Sequence, residues 1–352
     1  MSTKTNPGNF FEDFHMGQEI RHATPRTVTE GDVALYTGLY GGRFAFTSSV
    51  EFARRLGLPR APIDDLLAFH LVFGKTVPDV SLNAVANLGY AQGRFLAPVY
   101  PGDTLATTST VIGLRQNKGG KTGVVYVRSV GSNQLGETVL DYCRWVMVHK
   151  RDEAAPAPAA VTPELADAVA AADLVVPAHL DAHAYDAGLA GSEHFWDDYA
   201  EGEKIDHVDG TTIEEAEHMI ATRLYQNTAK VHFDALMQKE SRFGRRLIYG
   251  GHIISIARAL SFNGLANAFK VVAINGGRHV ATTFAGHTIY AFSEVLAKLE
   301  IPGRSDVGAL RLRTVALKDK PGEDFPYKDA AGNCDPAVVL DFDYTVLMPR
   351  RG

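Results

Sequence analysis

Phe10-Phe11-Glu12-Asp13-Phe14-His15-Met16-Gly17-Gln18-Glu19-Ile20 returns 185 positions later as Phe195-Trp196-Asp197-Asp198-Tyr199-Ala200-Glu201-Gly202-Glu203-Lys204-Ile205. The register then runs without a gap for about fifty residues, as a duplicated unit would. Thr27 meets Thr212, Glu30 meets Glu215, Tyr40 meets Tyr225 and Arg60 meets Arg245. Further on the offset becomes 184, where Gly93-Arg94 meets Gly277-Arg278, and near the ends it becomes 200, where Val139-Leu140-Asp141-Tyr142 meets Val339-Leu340-Asp341-Phe342. The chain is therefore one fold written twice, with insertions in the second copy.

The 352 residues suit two such units. We read a first repeat over 1–150, a linker over 151–190 and a second repeat over 191–352. With 45% hydrophobic residues, each repeat can bury a core without metals or disulfides. A formal charge of −6 gives no general attraction to nucleic acid or an anionic membrane, so an anionic ligand needs a local cationic patch. Cys143 and Cys334 occupy non-equivalent places, which points away from a disulfide framework and towards a reducing cytoplasm. The start of the chain has no apolar targeting segment, and no stretch is apolar enough to span a bilayer. The linker is rich in Ala and Pro; one short surface helix is expected after Thr162, with Pro163 in its first turn.

Each repeat shows the same order of elements. A short strand leads to a capped helix, at Thr29-Glu30-Gly31-Asp32 and at Thr212-Ile213-Glu214-Glu215, with acidic residues at the positive end of the helix dipole. A second helix, Ile63 to about Phe73 and Ile253 to about Phe262, is apolar on nearly all sides and so must be wrapped by other structure. Four alternating strands follow: 87–95, 104–114, 123–130 and 139–149, then 271–281, 289–299, 309–317 and 337–348. Asn117–Lys121 and Ser132–Glu137 carry the Gly and Asn of hairpin turns. A central helix followed by an antiparallel sheet is an α+β architecture with the sheet curled round the helix, here a double hot dog.

Two segments of the second repeat carry a family resemblance. Asn227-Thr228-Ala229-Lys230-Val231-His232, with the turn Ile248-Tyr249-Gly250-Gly251-His252, resembles the MaoC-like, or R-specific enoyl-CoA hydratase, family of hot dog enzymes. Arg94–Leu105 and Asn133–Val139 are typical of the same family, and the double length together with Asp64-Asp65-Leu66-Leu67-Ala68-Phe69-His70 is similar to its mesaconyl-CoA hydratase branch. That resemblance implies a hydro-lyase adding water to a branched dicarboxylic enoyl-CoA, with CoA as part of the substrate and no separate cofactor or metal. It places the family's histidine on His232, as general acid-base, and puts Asn227 where the family has an aspartate. An amide cannot take a proton, so Asn227 can only orient water or imidazole. Asparagine also avoids setting a second anion beside the substrate carboxylate, a repulsion of about 4 kcal/mol at about 4 Å and an effective dielectric of about 20.

Gly250 and Gly251 open the second central helix, where free backbone N–H groups could hold a thioester oxygen; the alternative is that they only mark a tight turn. The first repeat has Gly42 and Thr47 in place of Asn227 and His232, so it should be a binding half with a single active site per chain. Asp64 and Asp65 match the charge of its helix N-terminus. Candidates for the CoA phosphates are Arg94, Arg278, Lys118, Lys121, Arg245 and Arg246; the arginine for the substrate carboxylate is not chosen by the sequence. His179 and His183 have i, i+4 spacing but lack a third ligand, and no nucleotide-binding or nucleophile-elbow motif occurs. Rival readings are a straight-chain enoyl-CoA hydratase, a thioesterase of the same fold and an acyl-CoA sensor. A further homodimer is expected.

Overall fold

The computed structural model describes residues 4–351. The first repeat supplies β1 (Glu19–Thr27), β2 (Ala84–Phe95), β3 (Thr104–Gln116), β4 (Thr122–Ser132) and β5 (Thr138–His149). The second supplies the short β6 (Lys204–Asp206) and β7 (Thr211–Thr212), then β8 (Lys270–His279), β9 (Thr288–Glu300), β10 (Val307–Lys318) and β11 (Val338–Pro349). Every strand read from the alternation is present, with ends that differ by a few residues. The path through the sheet is β1-β3-β4-β5-β2-β8-β11-β10-β9-β6, with β7 beside β9. β2 and β8 pair antiparallel across the middle, with Tyr90 opposite Gly277 and Arg94 opposite Ala273, so the repeats share one sheet.

Helices Asp65–Thr76 and Gly250–Leu260 lie on its inner face, buried on nearly every side. That is the double hot dog expected from the apolar helices. One hydrophobic cluster runs through both halves, from Leu66 and Phe69 to Ile254 and Leu312.

Side-chain contacts repeat the register found in the sequence. Phe11 fills the space a Cβ would need at Gly123, and Trp196 does the same at Gly308. His22 pairs with Ser109 at 2.8 Å and Ser109 with Ser129 at 2.7 Å; His207, Ser293 and Thr314 form the same chain at the same two distances. Tyr40 and Tyr225, equivalent positions, meet hydroxyl to hydroxyl at 2.7 Å, which puts them on the pseudo-two-fold axis.

The linker differs from expectation. No helix forms after Thr162: Val161 exchanges backbone hydrogen bonds of 2.8 and 2.9 Å with Leu114, and within the segment the Val169 N–H donates to Asn275 Oδ1 at 2.9 Å instead of to a helical carbonyl. Val169, Leu174, Leu180 and Tyr185 are buried, so this segment is packed against the outer side rather than being a free spacer. Ala171–Asp173 makes one 3-10 turn. His179 and His183 share no α-helix; His183 lies with Asp181 and Asp306, whose carboxylate is already paired with Arg304 at 2.6 Å.

Candidate active site

Helix Glu215–Leu224 ends where Gln226 takes a left-handed φ of 53°, and the chain turns into the single turn Lys230–Phe233 that carries His232. Asn227 is buried and holds this turn: its Oδ1 accepts the Ala229 N–H at 3.1 Å. That leaves the Asn227 Nδ2 as its free donor for a ligand.

His232 Nδ1 lies 3.0 Å from the Leu247 carbonyl oxygen. A carbonyl can only accept, so the proton sits on Nδ1 and Nε2 presents a lone pair. Burial lowers the His232 pKa to about 4, partly opposed by that hydrogen bond, so the ring is neutral at pH 7. A neutral imidazole with a fixed tautomer is what proton abstraction from water requires.

His232 and Asn227 line a cavity of about 290 Å³ at the junction of the two repeats. Gly250, at the start of the second central helix, lines it too. Backbone N–H groups in a first helical turn have no partner inside the helix. The Tyr249 N–H donates to His218 Nε2 at 2.9 Å and that of His252 to the Tyr249 carbonyl at 2.9 Å, which leaves those of Gly250 and Gly251 for a ligand. Both glycines also serve packing. A Cβ on Gly250 would sit 2.5 Å from Nδ1 and Nε2 of His279, and one on Gly251 would meet the rings of Tyr249 and His70. The turn is therefore tight, and of the two glycines Gly250 lines the cavity. His252 is fully enclosed and does not line the cavity, with Nδ1 2.8 Å from the Tyr40 hydroxyl.

The cationic candidates separate sharply. Arg94 does not line the cavity; it is paired with Asp141 at 3.0 Å on the outer face, beneath linker residues Ala166–Ala170. Arg278 makes the equivalent outer contact with Asp341 at 3.9 Å. Lys118 and Lys121 occupy the turn between β3 and β4, with Lys121 3.8 Å from Glu153, away from the cavity lining. Arg246 is committed to Glu215. Arg245 stacks on Phe284 at 3.9 Å, and Phe284 meets Phe243 edge-on at 5.6 Å. Arg242, which the sequence reading passed over, stacks on Phe243 and lines the cavity, so it stands with Arg245 at an exposed aromatic and basic rim.

Four further lining residues were missed. His279 ends β8 with Nε2 3.2 Å from the Tyr90 hydroxyl, and burial lowers its pKa to about 4. Tyr249, Asn87 and Arg144 present buried polar atoms that have no hydrogen-bond partner. Arg144, on β5, is 1% exposed; its Nη2 donates to Thr76 Oγ1 at 2.6 Å and its guanidinium lies 4.2 Å from the Phe73 ring centre. A signal for His279 existed in the repeat: its counterpart is Phe95, an apolar residue turned into the core.

The equivalent positions in the first repeat, Gly42 and Thr47, carry no acid-base group. Thr47 bonds back to the Phe44 carbonyl at 3.2 Å, and the neighbouring Phe44 and Phe46 are buried, Phe46 against Phe269 at 5.1 Å. Asp64 caps its helix by accepting the Leu66 N–H at 2.8 Å, while Asp65 pairs with Lys270 and accepts the Val271 N–H at 3.1 Å. The first repeat therefore holds no second copy of the site.

Residues 2–326 match the family model described as mesaconyl-CoA hydratase. The chain is 72% identical, over the full length of both proteins, to a β-methylmalyl-CoA dehydratase of Chloroflexus aurantiacus. It is 62% identical to a mesaconyl-CoA hydratase of Cereibacter sphaeroides, covering 99% of this chain and 100% of that one. A crystal structure of a MaoC domain dehydratase from Chloroflexus aurantiacus superposes with a TM-score of 0.98 at 72% identity, covering 100% of both chains. A double hot dog protein of Mycobacterium tuberculosis shares the fold, with a TM-score of 0.73 at 24% identity and coverage of 97% and 99%.

Proposed function

Because the chain belongs to the mesaconyl-CoA hydratase family, we propose that it interconverts 2-methylfumaryl-CoA (mesaconyl-CoA) plus water with β-methylmalyl-CoA, using the cavity at His232. One observation carries the reading: a histidine with its proton fixed on Nδ1 shares a small cavity with the open N-terminus of a buried helix. The imidazole Nε2 takes a proton from water as its oxygen adds to the carbon bearing the substrate carboxylate. Charge then gathers on the thioester oxygen, where the Gly250 and Gly251 N–H groups and the helix dipole meet it. The α-carbon is protonated to complete the addition, and the reverse sequence dehydrates the product.

Substrate binding also adjusts the base. Burial disfavours the imidazolium, but a substrate carboxylate brought into the same cavity favours it, so His232 gains proton affinity when the anion is present. Asn227 suits this arrangement, since an aspartate there would repel the same carboxylate. The rim of Arg242, Phe243, Phe284 and Arg245 offers cations and aromatic faces to the nucleotide of CoA.

Two free thiols, Cys143 and Cys334, accord with a reducing cytosol. No helix among the described residues is long and apolar enough to cross a membrane.

The test follows loss of enoyl-thioester absorbance with 2-methylfumaryl-CoA and with crotonyl-CoA, alongside a thiol reagent. Faster hydration of the dicarboxylic substrate without thiol release supports the reading. A preference for crotonyl-CoA moves the protein to the straight-chain hydratases, and thiol release moves it to the thioesterases.

A further inference from the structure

The duplication provides two equivalent positions on the last strand of each repeat, and they hold different residues. Arg144 stands opposite Tyr90 on β5, and its counterpart Tyr344 stands opposite Ile274 on β11. Tyr344 is satisfied in the usual way for a buried hydroxyl, accepting from Thr314 Oγ1 at 3.1 Å. Arg144 is not satisfied. Only Nη2 has partners, Thr76 Oγ1 at 2.6 Å and Ser81 Oγ at 3.4 Å, while Nε and Nη1 are buried without any.

Among the described residues no carboxylate pairs with Arg144, and the ionisable groups that act on it are the tyrosines Tyr142, Tyr90 and Tyr249. A guanidinium stays charged in a protein, and an isolated buried charge is strongly unfavourable unless something compensates it. The cavity supplies the place for the missing anion, since Arg144 lines it together with His232. Two other lining residues carry unpartnered buried polar atoms: the Tyr249 hydroxyl and the amide of Asn87. Guanidinium, phenol and amide N–H donors form a set that matches a carboxylate, which only accepts.

From this we propose that Arg144 receives the free carboxylate of the substrate, with the Tyr249 hydroxyl and the Asn87 amide as its co-donors. The inference rests on the hydratase reading and adds to it the source of selectivity for a dicarboxylic thioester. It also divides the labour between the repeats, since the first supplies Arg144 and Asn87 to the anion receptor and the second supplies Tyr249 and the acid-base group. With its carboxylate held at Arg144 and its thioester oxygen at the Gly250 helix terminus, the substrate can present only the carbon next to the carboxylate to His232. Arg144 is thus a specificity and positioning residue, and it withdraws charge from beside the carbon that water attacks.

The experiment measures kcat/KM for 2-methylfumaryl-CoA and crotonyl-CoA in wild type, Arg144→Met and Arg144→Lys, with the Kd of two unreactive probes, succinyl-CoA and butyryl-CoA. Removing one partner of a buried charge pair predicts a fall of about 10²–10³-fold in the ratio of dicarboxylic to monocarboxylic kcat/KM for Arg144→Met. The succinyl-CoA to butyryl-CoA affinity ratio falls with it, and Arg144→Lys, which keeps charge but not the fork, lies between. The thermal midpoint without ligand is not lowered in Arg144→Met, because no ion pair is lost.

A parallel loss on both substrates with a lowered midpoint makes Arg144 structural and overturns the proposal, as does an unchanged ratio. If wild type fails to hydrate 2-methylfumaryl-CoA, the reaction assignment falls, and the two unreactive probes still decide the role of Arg144 on their own.

Discussion

Replacing Gly250 by alanine places a methyl carbon 2.5 Å from both Nδ1 and Nε2 of His279. The ring's Cε1 would be closer still, and ordinary contact needs about 3.5 Å, so the ring must recede by more than about 1 Å. It has little room, with its Nε2 3.2 Å from the Tyr90 hydroxyl and the ring edge-on to Tyr90 at 5.9 Å. Overpacking of this kind costs about 1–3 kcal/mol, of which the better helix propensity of alanine returns about 0.5–1 kcal/mol. The net loss, up to about 2.5 kcal/mol, lowers the thermal midpoint by up to a few degrees.

The effect on turnover is larger, because the same methyl group stands beside the N–H groups assigned to the thioester oxygen. Disturbing such a donor lowers kcat by about 10²–10³-fold. The assay pairs a thermal melt with kcat/KM on 2-methylfumaryl-CoA for Gly250→Ala, His279→Ala and the double variant. Removing the imidazole relieves the overlap, so the melts of the three variants should show a coupling above about 1 kcal/mol. Gly250→Ala with wild-type stability and wild-type kcat/KM would refute the reasoning.

Asn227→Asp preserves the hydrogen bond to the Ala229 N–H, so the turn is kept, while burial of the new carboxylate lowers the melting temperature somewhat. Its new charge faces the substrate carboxylate, and kcat/KM on 2-methylfumaryl-CoA should fall while crotonyl-CoA is affected less; equal effects on both substrates contradict the electrostatic account. His70, His218, His232, His252 and His279 are all held below their ordinary pKa by burial, at values from about 2 to about 4. Below about pH 6.5 the unfolded chain therefore binds protons that the folded chain refuses, so stability is full above that pH and falls as pH drops towards about 4. Each ring adds up to about 1.4 kcal/mol per pH unit to the slope, and a flat midpoint between about pH 7.5 and 5 in denaturant titrations would rule this out.

The strands and the two buried helices were legible because each repeat alternates cleanly and the two copies corroborate each other. His232 was legible through its motif. Among the cations, Arg94 was misjudged for a geometric reason. Arg94 lies four residues beyond the inward-facing Tyr90, a spacing that keeps the same face in a regular strand. The register of β2 against β5 shifts between Ala91 and Arg94, where Gln92 takes a φ of 52°, and the extra residue turns Arg94 outward onto Asp141.

Arg144 escaped notice for the opposite reason. It interrupts an inward row of Leu140, Tyr142, Val146 and Val148, a charge among core residues, and that was readable. What the sequence could not supply was its neighbour: the cavity that joins Arg144 to His232 exists only because β2 pairs with β8, a contact between strands about 180 residues apart. The linker was misread because its alanines suit a helix, while the Val169 N–H, which a helix would have used, is tied to Asn275.

The central claim is that Nε2 of His232 moves the proton. Its most direct test is the pH dependence of kcat/KM on 2-methylfumaryl-CoA in wild type, set beside the turnover of His232→Ala and His232→Gln. A base with a pKa of about 4 in the free enzyme predicts a rate that is level from about pH 8 to about 5.5 and falls below it. Both variants should retain folded melts and lose about 10²–10⁴-fold in kcat. A variant that keeps a tenth or more of wild-type turnover, with the same pH profile, would contradict the account and assign the proton to another group.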